Sequence, residues 1–567
     1  MLLWNIGDTS VRYALRLRDG LVALASSPLQ GRLRGTRGDN DFRNLLGQNS
    51  VVSLREDNTN SVGRKWRSAL GKLGFLYPEI SRSSGINQAD VDQMDTITPN
   101  GWRLIKSETV PAMQECFLRA LAALFMKNDN SDWFSPLRLT LALLLELEKK
   151  TGRASVSFLE MALHVQTIHS SDNLTDIADR IIALRDERSL ADSKRRFDST
   201  KYEEAGATAH LQASTIRDYA DTNIRYLKAT GLVQNHGNGI VLVPEKRLLA
   251  ELIAKDTTVP TSELEYWRTL CNGANLPTDT EDTARIILCD LVVQLERMEI
   301  PYLFENRPVD TAADIAVIRH EIEDLISKQK EEIFAVEQAN QWKEIAAYID
   351  LFASKTFGRH KRIDDDTEII IPKHETPAYL EWIFWRAFLA INNLVNKPYQ
   401  ARRFRVDQNF LPIGPAPGNG PDLIMEFQDF VIAIEVTLTE SSRQEAMEGE
   451  SVRRHVADLV DKYSNENGKP VYGLFIANQI DSNTAETFRN GAWYTRMDNR
   501  LNLTIIPMTT AQFGEFFKTL CKTDKMMPQT VISLLEECNL SRSQCDGPEW
   551  KNKIENVVQQ TVQSFYQ

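Results

Sequence analysis

The fold of this chain is decided by the stretch Gly420-Pro-Asp-Leu-Ile-Met-Glu-Phe, Gln428-Asp, Phe430-Val-Ile-Ala-Ile-Glu-Val-Thr. Both apolar runs are rich in residues that suit a pleated strand, and the polar pair between them marks a hairpin turn. If Phe427 faces Phe430 across that turn, Asp422 lies directly opposite Glu435. Directly opposed Cβ atoms on antiparallel strands are roughly 4.5–5.5 Å apart. The hairpin therefore predicts two carboxylates face to face.

Two carboxylates at this separation repel each other unless a cation or a proton lies between them. A divalent ion that prefers oxygen ligands, such as Mg²⁺, relieves the repulsion. Asp422 and Glu435 are therefore predicted metal ligands, and the hairpin predicts a metal-dependent catalytic site.

Length and composition indicate an ordinary folded protein. At 567 residues, with 42% apolar and 25% charged residues, the chain is expected to form roughly three or four domains. The six cysteines form no CxxC pair, which is typical of buried thiols in a reducing cytoplasm. The N-terminus lacks the features of a signal peptide, and the most apolar run, 137–147, is too short to span a membrane. We expect a soluble protein of the bacterial cytoplasm with no membrane partner.

The net charge of −12 is unevenly distributed. Residues 1–75 contain 12 Lys and Arg against 6 Asp and Glu, whereas residues 259–358 contain 9 against 19. Most of the acidity therefore belongs to one middle segment. The N-terminal end remains basic enough to approach phosphate groups.

The region 1–258 is predicted to contain helical DNA-binding units of the winged-helix type. In the segment 61–76, Trp66 and Leu70 share one helical stripe with Leu73, and a hairpin and another helix start are predicted to follow. The other faces carry Arg64, Lys65 and Arg67, the candidate DNA contacts. A solvated amphipathic helix is the alternative interpretation.

A second helix-and-hairpin unit is predicted from Thr215 onward. Thr215 is the predicted N-cap of a helix that stops at Gly231, and a hairpin then turns at His236-Gly-Asn-Gly. Such units place a helix in the major groove and the hairpin against the DNA backbone.

Residues 259–365 are predicted to form a helical linker, with a coiled-coil-like dimerisation arm as the alternative. The run Asp364-Asp-Asp marks the next boundary. Residues 366–567 are predicted to form an α/β catalytic domain. Its predicted elements are a helix at 377–396, the hairpin, a helix at 444–463, and strands at 471–477 and 503–506.

Three further side chains are candidates for the acidic centre. Gln444, Glu448 and His455 share one face of the helix that follows the hairpin, so Glu448 and His455 could point back at the metal site. Glu381 is an isolated carboxylate in an otherwise apolar helix, and a buried acid needs a partner. For Glu448, His455 and Glu381, the alternative is an exposed position on the surface.

These residues together resemble the PD-(D/E)xK nuclease superfamily and, within it, the AlwI family of type IIS restriction endonucleases, relatives of nicking enzymes of the BstNBI type. The resemblance rests on Arg64-Lys-Trp-Arg with Leu73-Gly-Phe, Ala220 to Gly231 with Pro244-Glu-Lys, Leu380-Glu-Trp, Gly420-Pro-Asp, Glu435-Val-Thr, Gln444 with Glu448, Val452-Arg-Arg-His, and Leu474-Phe-Ile-Ala. It covers most of the chain.

The resemblance implies an enzyme that binds a short asymmetric site in double-stranded DNA and, with Mg²⁺, cuts a few base pairs away. It assigns the metal to Asp422 and Glu435, and the rest of the acidic centre to Glu381, Glu448 and His455. The implied partners are a transient homodimer or a small catalytic subunit, and a cognate DNA methyltransferase as genetic partner.

Thr437 departs from the superfamily pattern, because it stands where the usual lysine would be. His455 or a second metal ion could replace the lysine. Three activities remain open: a double-strand endonuclease, a strand-specific nickase or the large subunit of a heterodimer, and a DNA-binding regulator with a degenerate nuclease domain.

Overall fold

The computed structural model describes residues 3–9, 11, 13–49, 51–52, 54, 60–81, 84–169, 172–303, 307–363, 368–440, 442–466, 468–495, 497–523 and 525–566. The chain is multidomain and rich in helices, with small sheets, and it divides into two compact units, unit 1 (1–326) and unit 2 (327–567). In the part of the chain that is described, no helix is long and apolar enough to cross a membrane.

Unit 1 is largely helical. Its helices are α1 (Leu17–Ala25), α2 (Gly35–Gln48), α3 (Val62–Lys72), α4 (Gln88–Val91), α5 (Pro99–Lys106), α6 (Val110–Ala123), α7 (Pro136–Thr151), α8 (Phe158–Leu163), α9 (Leu174–Ser189), α10 (Lys194–Ala209), α11 (Ala213–Ala229), α12 (Arg247–Lys255), α13 (Glu263–Asn272) and α14 (Glu281–Arg297). Its strands are β1 (Met126–Lys127), β2 (Trp133–Phe134), β3 (Ser155–Val156), β4 (Val233–His236) and β5 (Gly239–Leu242).

Helix α15 (Ala312–Glu337) contains the division between the units. Unit 2 continues with the helices α16 (Trp342–Ala353), α17 (Thr376–Ile391), α18 (Pro398–Ala401), α19 (Glu450–Glu466), α20 (Ser482–Asn490), α21 (Thr510–Lys522), α22 (Pro528–Leu540) and α23 (Gly547–Ser564). A π-helical turn (Glu445–Gly449) precedes α19. The strands are β6 (Lys361–Arg362), β7 (Glu368–Ile369), β8 (Leu423–Glu426), β9 (Val431–Thr437), β10 (Val471–Ala477), β11 (Ala492–Tyr494), β12 (Arg500–Asn502) and β13 (Thr504–Thr509).

The predicted stripe on α3 is confirmed, since Trp66, Leu70 and Leu73 are all buried. The hairpin expected after this helix is not a pair of strands. Between α3 and α5, the described residues contain a single antiparallel bridge, from Leu76 to Ile97, and the short helix α4.

The second helix-and-hairpin unit forms as α11 followed by β4 and β5, with β3 added to the sheet in the order β3-β5-β4. Gly231 ends the helical segment in a left-handed conformation, with φ of 70°. The predicted cap is wrong, because α11 begins two residues earlier, at Ala213, and Thr215 lies inside its first turn. Gln212 at the N-cap makes no capping hydrogen bond through its side chain.

The region predicted as a linker contributes helices to both units. The three-region division at 258 and 365 stays a prediction, and the boundary at Asp364-Asp-Asp lies outside the described residues.

A four-stranded sheet with the order β13-β10-β9-β8 lies in the core of unit 2. β9, β10 and β13 are parallel, and β8 is antiparallel at one edge. β13 contains Pro507, which lacks an N–H group and is tolerated because β13 is the other edge strand. The helix predicted to reach residue 396 ends at Ile391, because Asn392 and Asn393 adopt positive φ.

Candidate active site at the end of strand β9

The predicted hairpin forms with the predicted register. β8 pairs antiparallel with β9, and Leu423 is the partner of Ile434. One residue earlier, Asp422 therefore stands at the position opposite Glu435. Its Oδ2 accepts a hydrogen bond of 2.9 Å from the backbone N–H of Val436. The backbone of β9 thus fixes the carboxylate of Asp422 beside Glu435.

His455 reaches the same strand from α19. Its Nδ1 lies 2.6 Å from Oε1 of Glu435, and its Nε2 is buried with no hydrogen-bond partner among the described residues. Burial lowers the pKa of His455, and the positive charges of Arg454 and Arg403 lower it further. Both effects favour the neutral imidazole, whose Nδ1–H can be donated to Glu435 when that carboxylate is ionised.

Glu448 lies in the π-helical turn. Its Oε1 accepts hydrogen bonds from the hydroxyl groups of Thr437, at 2.9 Å, and Thr439, at 3.4 Å. The predicted continuous α-helix over 444–463 is wrong at its start, because the π-helical turn comes first. Such turns are rare and occur frequently at functional sites. Glu448 and His455 nevertheless both reach β9, as the helical wheel predicted.

Gln444 is fully buried and holds this turn in place. Its Nε2 donates to the carbonyl oxygens of Thr439, at 2.6 Å, and Gln479, at 2.9 Å. Its Oε1 accepts a hydrogen bond of 2.9 Å from the N–H of Asp481. One side chain therefore ties the loop after β9 to the loop after β10, directly before the turn that carries Glu448.

Glu381, on α17, is 6% exposed, so the exposed alternative is excluded. Its Oε2 accepts a hydrogen bond of 2.6 Å from the N–H of Ala416, in the Gly- and Pro-rich loop that leads to Asp422. Burial raises the pKa of Glu381 well above its ordinary value, and the charge of Asp422 raises it further. Glu381 therefore belongs electrostatically to the same acidic centre.

The other carboxylates show the same mutual repulsion. Burial, followed by the negative charge of Glu435, raises the pKa of Asp422 well above its ordinary value. Burial and the charge of Glu448 raise the pKa of Glu435 to about 8. Because the raised pKa values come from burial and like charges, a bound cation would stabilise the ionised forms.

Asp422 and Glu435 present carboxylate oxygens of the kind that Mg²⁺ prefers. Among the described residues, no three acidic, imidazole or thiol side chains stand close enough to hold an ion by themselves. Mg²⁺, however, is usually held by one or two carboxylates together with waters and substrate phosphates. One oxygen of Asp422 accepts from the N–H of Val436, and one oxygen of Glu435 contacts His455. The second oxygen of each carboxylate makes no hydrogen bond within the described part of the chain.

Arg403 is a site residue that the sequence reasoning missed. Its guanidinium group lies against the loop that precedes Asp422, where Nη1 donates to the carbonyl oxygen of Pro421 at 3.4 Å. Its positive charge offsets part of the rise in the pKa values of Glu381 and Glu435 that burial and the neighbouring carboxylates cause. The available signal is the basic run Arg402-Arg-Phe-Arg, which directly precedes this part of the chain.

The predicted DNA contacts lie on α3, in unit 1. Arg64 is exposed and Lys65 is half-buried. Arg67 instead forms an ion pair of 3.1 Å with Asp39, and both side chains are largely buried. Arg64 and Lys65 are therefore accessible to a ligand, whereas Arg67 is already paired.

Carboxylates gathered at the end of one strand offer the oxygen donors that divalent ions such as Mg²⁺ prefer. A family model described as AlwI restriction endonuclease matches residues 71–516, which is most of the chain. The protein therefore belongs to the AlwI restriction endonuclease family and is a site-specific deoxyribonuclease.

No curated protein matches the chain. Among solved structures, the small subunit (R.BspD6I2) of the heterodimeric restriction endonuclease R.BspD6I is 23% identical, covers 38% of this chain and 98% of its own, and gives a TM-score of 0.28. Restriction endonuclease FokI is 10% identical, and the match covers 94% of this chain and 99% of the FokI chain with a TM-score of 0.25.

Proposed function

We propose that this protein is a type IIS restriction endonuclease. Residues 1–258 bind a short asymmetric site in duplex DNA through winged-helix-like units, and a PD-(D/E)xK catalytic domain hydrolyses phosphodiester bonds a few base pairs away with Mg²⁺. The observation that carries the proposal is the convergence of Asp422, Glu435, Glu448 and His455 on one end of β9, with Glu381 buried beside them.

In this proposal, Asp422 and Glu435 hold Mg²⁺ through their remaining oxygens. When bound, the ion polarises the phosphate and lowers the pKa of the attacking water. Glu448, oriented by the hydroxyl of Thr437, accepts the hydrogen bond of that water and removes its proton. Neutral His455 fixes the orientation of Glu435 through Nδ1, as a hydrogen-bond partner of a metal ligand does.

The substitution Asp422→Asn tests the proposal. It removes one negative oxygen from the centre, so we expect cleavage of plasmid DNA in magnesium buffer to be abolished while site-specific DNA binding is retained. Asp429→Asn is the matched control, because Asp429 is exposed in the turn of the same hairpin, and it should cut normally. Cleavage by the Asp422→Asn protein would reject the assignment of the active site.

A second candidate is a strand-specific nickase or the large subunit of a heterodimer. The arrangement around β9 is one acidic centre, which acts on one strand at a time, so double-strand cutting requires a transient homodimer or a small catalytic subunit. Supercoiled plasmid distinguishes the outcomes: linear product means double-strand cleavage, and open circles alone mean nicking. Specific binding without any cleavage would instead indicate a DNA-binding regulator. Sequencing the product ends would give the recognition site and the cutting offset.

A further inference from the structure

Arg403 is held at the rim of the acidic centre by the loop that delivers Asp422. Besides its contact with Pro421, its Nη2 donates to Oδ1 of Asn419. Arg403 is half-buried, so part of the residue faces solvent. A guanidinium group has five N–H donors, and the carbonyl of Pro421 and the amide of Asn419 use only two of them.

The loop is shaped to receive this guanidinium group at Gly420. A Cβ atom at residue 420 would lie 2.4 Å from Nη1 and 2.9 Å from Cζ of Arg403. The close approach is therefore possible only for glycine, and it involves the residue two positions before Asp422. By contrast, a Cβ atom at Gly418, in the same loop, meets nothing within 4 Å.

Arg403 also differs from its neighbours in how its charge is used. Arg402 forms an ion pair with Glu331 at 2.6 Å, and Arg386 forms one with Glu344 at 2.6 Å. Arg454, which also acts on the centre, pairs with Glu450 at 3.1 Å. Arg403 forms no ion pair with any described residue, so its positive charge is available to a ligand.

A phosphate group that enters a centre of several carboxylates is repelled unless a cation receives it. Thr437, the residue of β9 that lies beyond Glu435, contributes only a neutral hydroxyl, and that hydroxyl donates to Glu448. Nδ1 of His455 is turned toward Glu435, at 2.6 Å from its Oε1. Among the side chains described above, this leaves Arg403 as the cation without a carboxylate partner next to the centre.

We propose that Arg403 is a catalytic residue that donates hydrogen bonds to a non-bridging oxygen of the scissile phosphodiester. It thereby supplies the positive charge that Thr437 does not. Arginine is well suited to this because its planar group binds phosphate oxygens bidentately and stays protonated. The inference rests on the proposed nuclease function. It makes Gly420 a positioning residue, because glycine at 420 lets the guanidinium group lie against the loop.

The first test measures single-turnover cleavage and DNA affinity separately for Arg403→Ala and Arg403→Lys. Loss of one such donor typically lowers the rate by about 10²–10³-fold. We expect a loss of this size for Arg403→Ala, with site-specific affinity changed much less, and partial recovery for Arg403→Lys. Free guanidinium ion at millimolar concentration should also restore part of the activity of Arg403→Ala, which a purely structural role would not allow.

The second test compares two glycines in one loop. Gly420→Ala should displace the guanidinium group and reduce the cleavage rate as Arg403→Ala does, whereas Gly418→Ala should cut at the wild-type rate. A wild-type rate for Arg403→Ala would overturn the inference. A loss that neither lysine nor guanidinium restores would also overturn it, since that result indicates a structural role. Failure of the nuclease proposal is distinguishable, because the wild-type protein would then not cleave.

Discussion

Nδ1 of His455 lies 2.6 Å from Oε1 of Glu435, and this contact joins helix α19 to the central strand of the catalytic sheet. In the proposed metal site, this contact leaves the other carboxylate oxygen of Glu435 for the ion. We therefore expect His455→Ala to raise the Mg²⁺ concentration needed for half-maximal cleavage by about 10–100-fold, the usual effect of losing a partner of a metal ligand. The measurement is a magnesium titration of the cleavage rate. An unchanged magnesium requirement would show that His455 does not position Glu435.

The hydroxyl of Thr437 orients Glu448. Thr437→Val removes that hydroxyl with little change in shape, and Thr437→Ser keeps it. We expect the valine variant to lose about 10-fold or more in single-turnover cleavage rate, the usual effect of removing a hydrogen-bond partner of an active-site residue. The serine variant should cut at a rate close to wild type. Equal rates for the two variants would mean that the hydrogen bond to Glu448 has no part in the reaction.

Glu115 in unit 1 links stability to pH. Its Oε2 is 2.9 Å from Nε2 of His320, and it also pairs with Arg319 and, at 2.8 Å through Oε1, with Arg119. Burial opposes ionisation, but His320 and Arg319 outweigh it and hold the pKa of Glu115 well below its ordinary value of 4.5. A depressed pKa contributes stability that is present above the unfolded-state pKa and is lost progressively as the pH falls below it.

Glu115→Gln should therefore lower the free energy of unfolding at pH 7 by about 2 kcal/mol, the usual worth of a hydrogen bond to a charged group, because Arg319 keeps only Glu323 as a carboxylate partner. The difference from wild type should shrink as the pH is lowered below about 4.5. Denaturant unfolding at several pH values measures both effects. Glu251→Gln is the control, since Glu251 forms only surface ion pairs, worth at most about 1 kcal/mol. A pH-independent difference would contradict this account.

The two basic positions on α3 should behave differently. Arg64 is exposed, so Arg64→Gln should weaken DNA binding and reduce the slope of log affinity against log salt by about 1, as expected for one lost phosphate contact. Arg67 pairs with Asp39, so Arg67→Gln should lower the stability of unit 1 and leave the slope unchanged. Salt titrations of binding and thermal unfolding of both variants separate these effects.

Much of the candidate site follows from local sequence patterns. The two-residue turn at Gln428-Asp determined the register of the hairpin, because placing Phe427 opposite Phe430 fixes every later pair along the two strands. That register alone places Asp422 opposite Glu435. Helical spacing likewise identified Glu448 and His455, although it missed the π-helical turn, whose wider winding has no simple sequence signal.

Other features were decided only by the tertiary structure. Arg402 and Arg403 are adjacent and chemically identical, yet one pairs with Glu331 and the other lies against the loop before Asp422. Glu381 could be surface or core by sequence, and only its 6% exposure and its bond to Ala416 place it in the centre. The sequence by itself determined the pairing of β8 with β9 and the placement of Asp422 opposite Glu435, since both depend on near neighbours. The partners of Arg403 and Glu381 depend on segments distant in the chain, which only folding brings together.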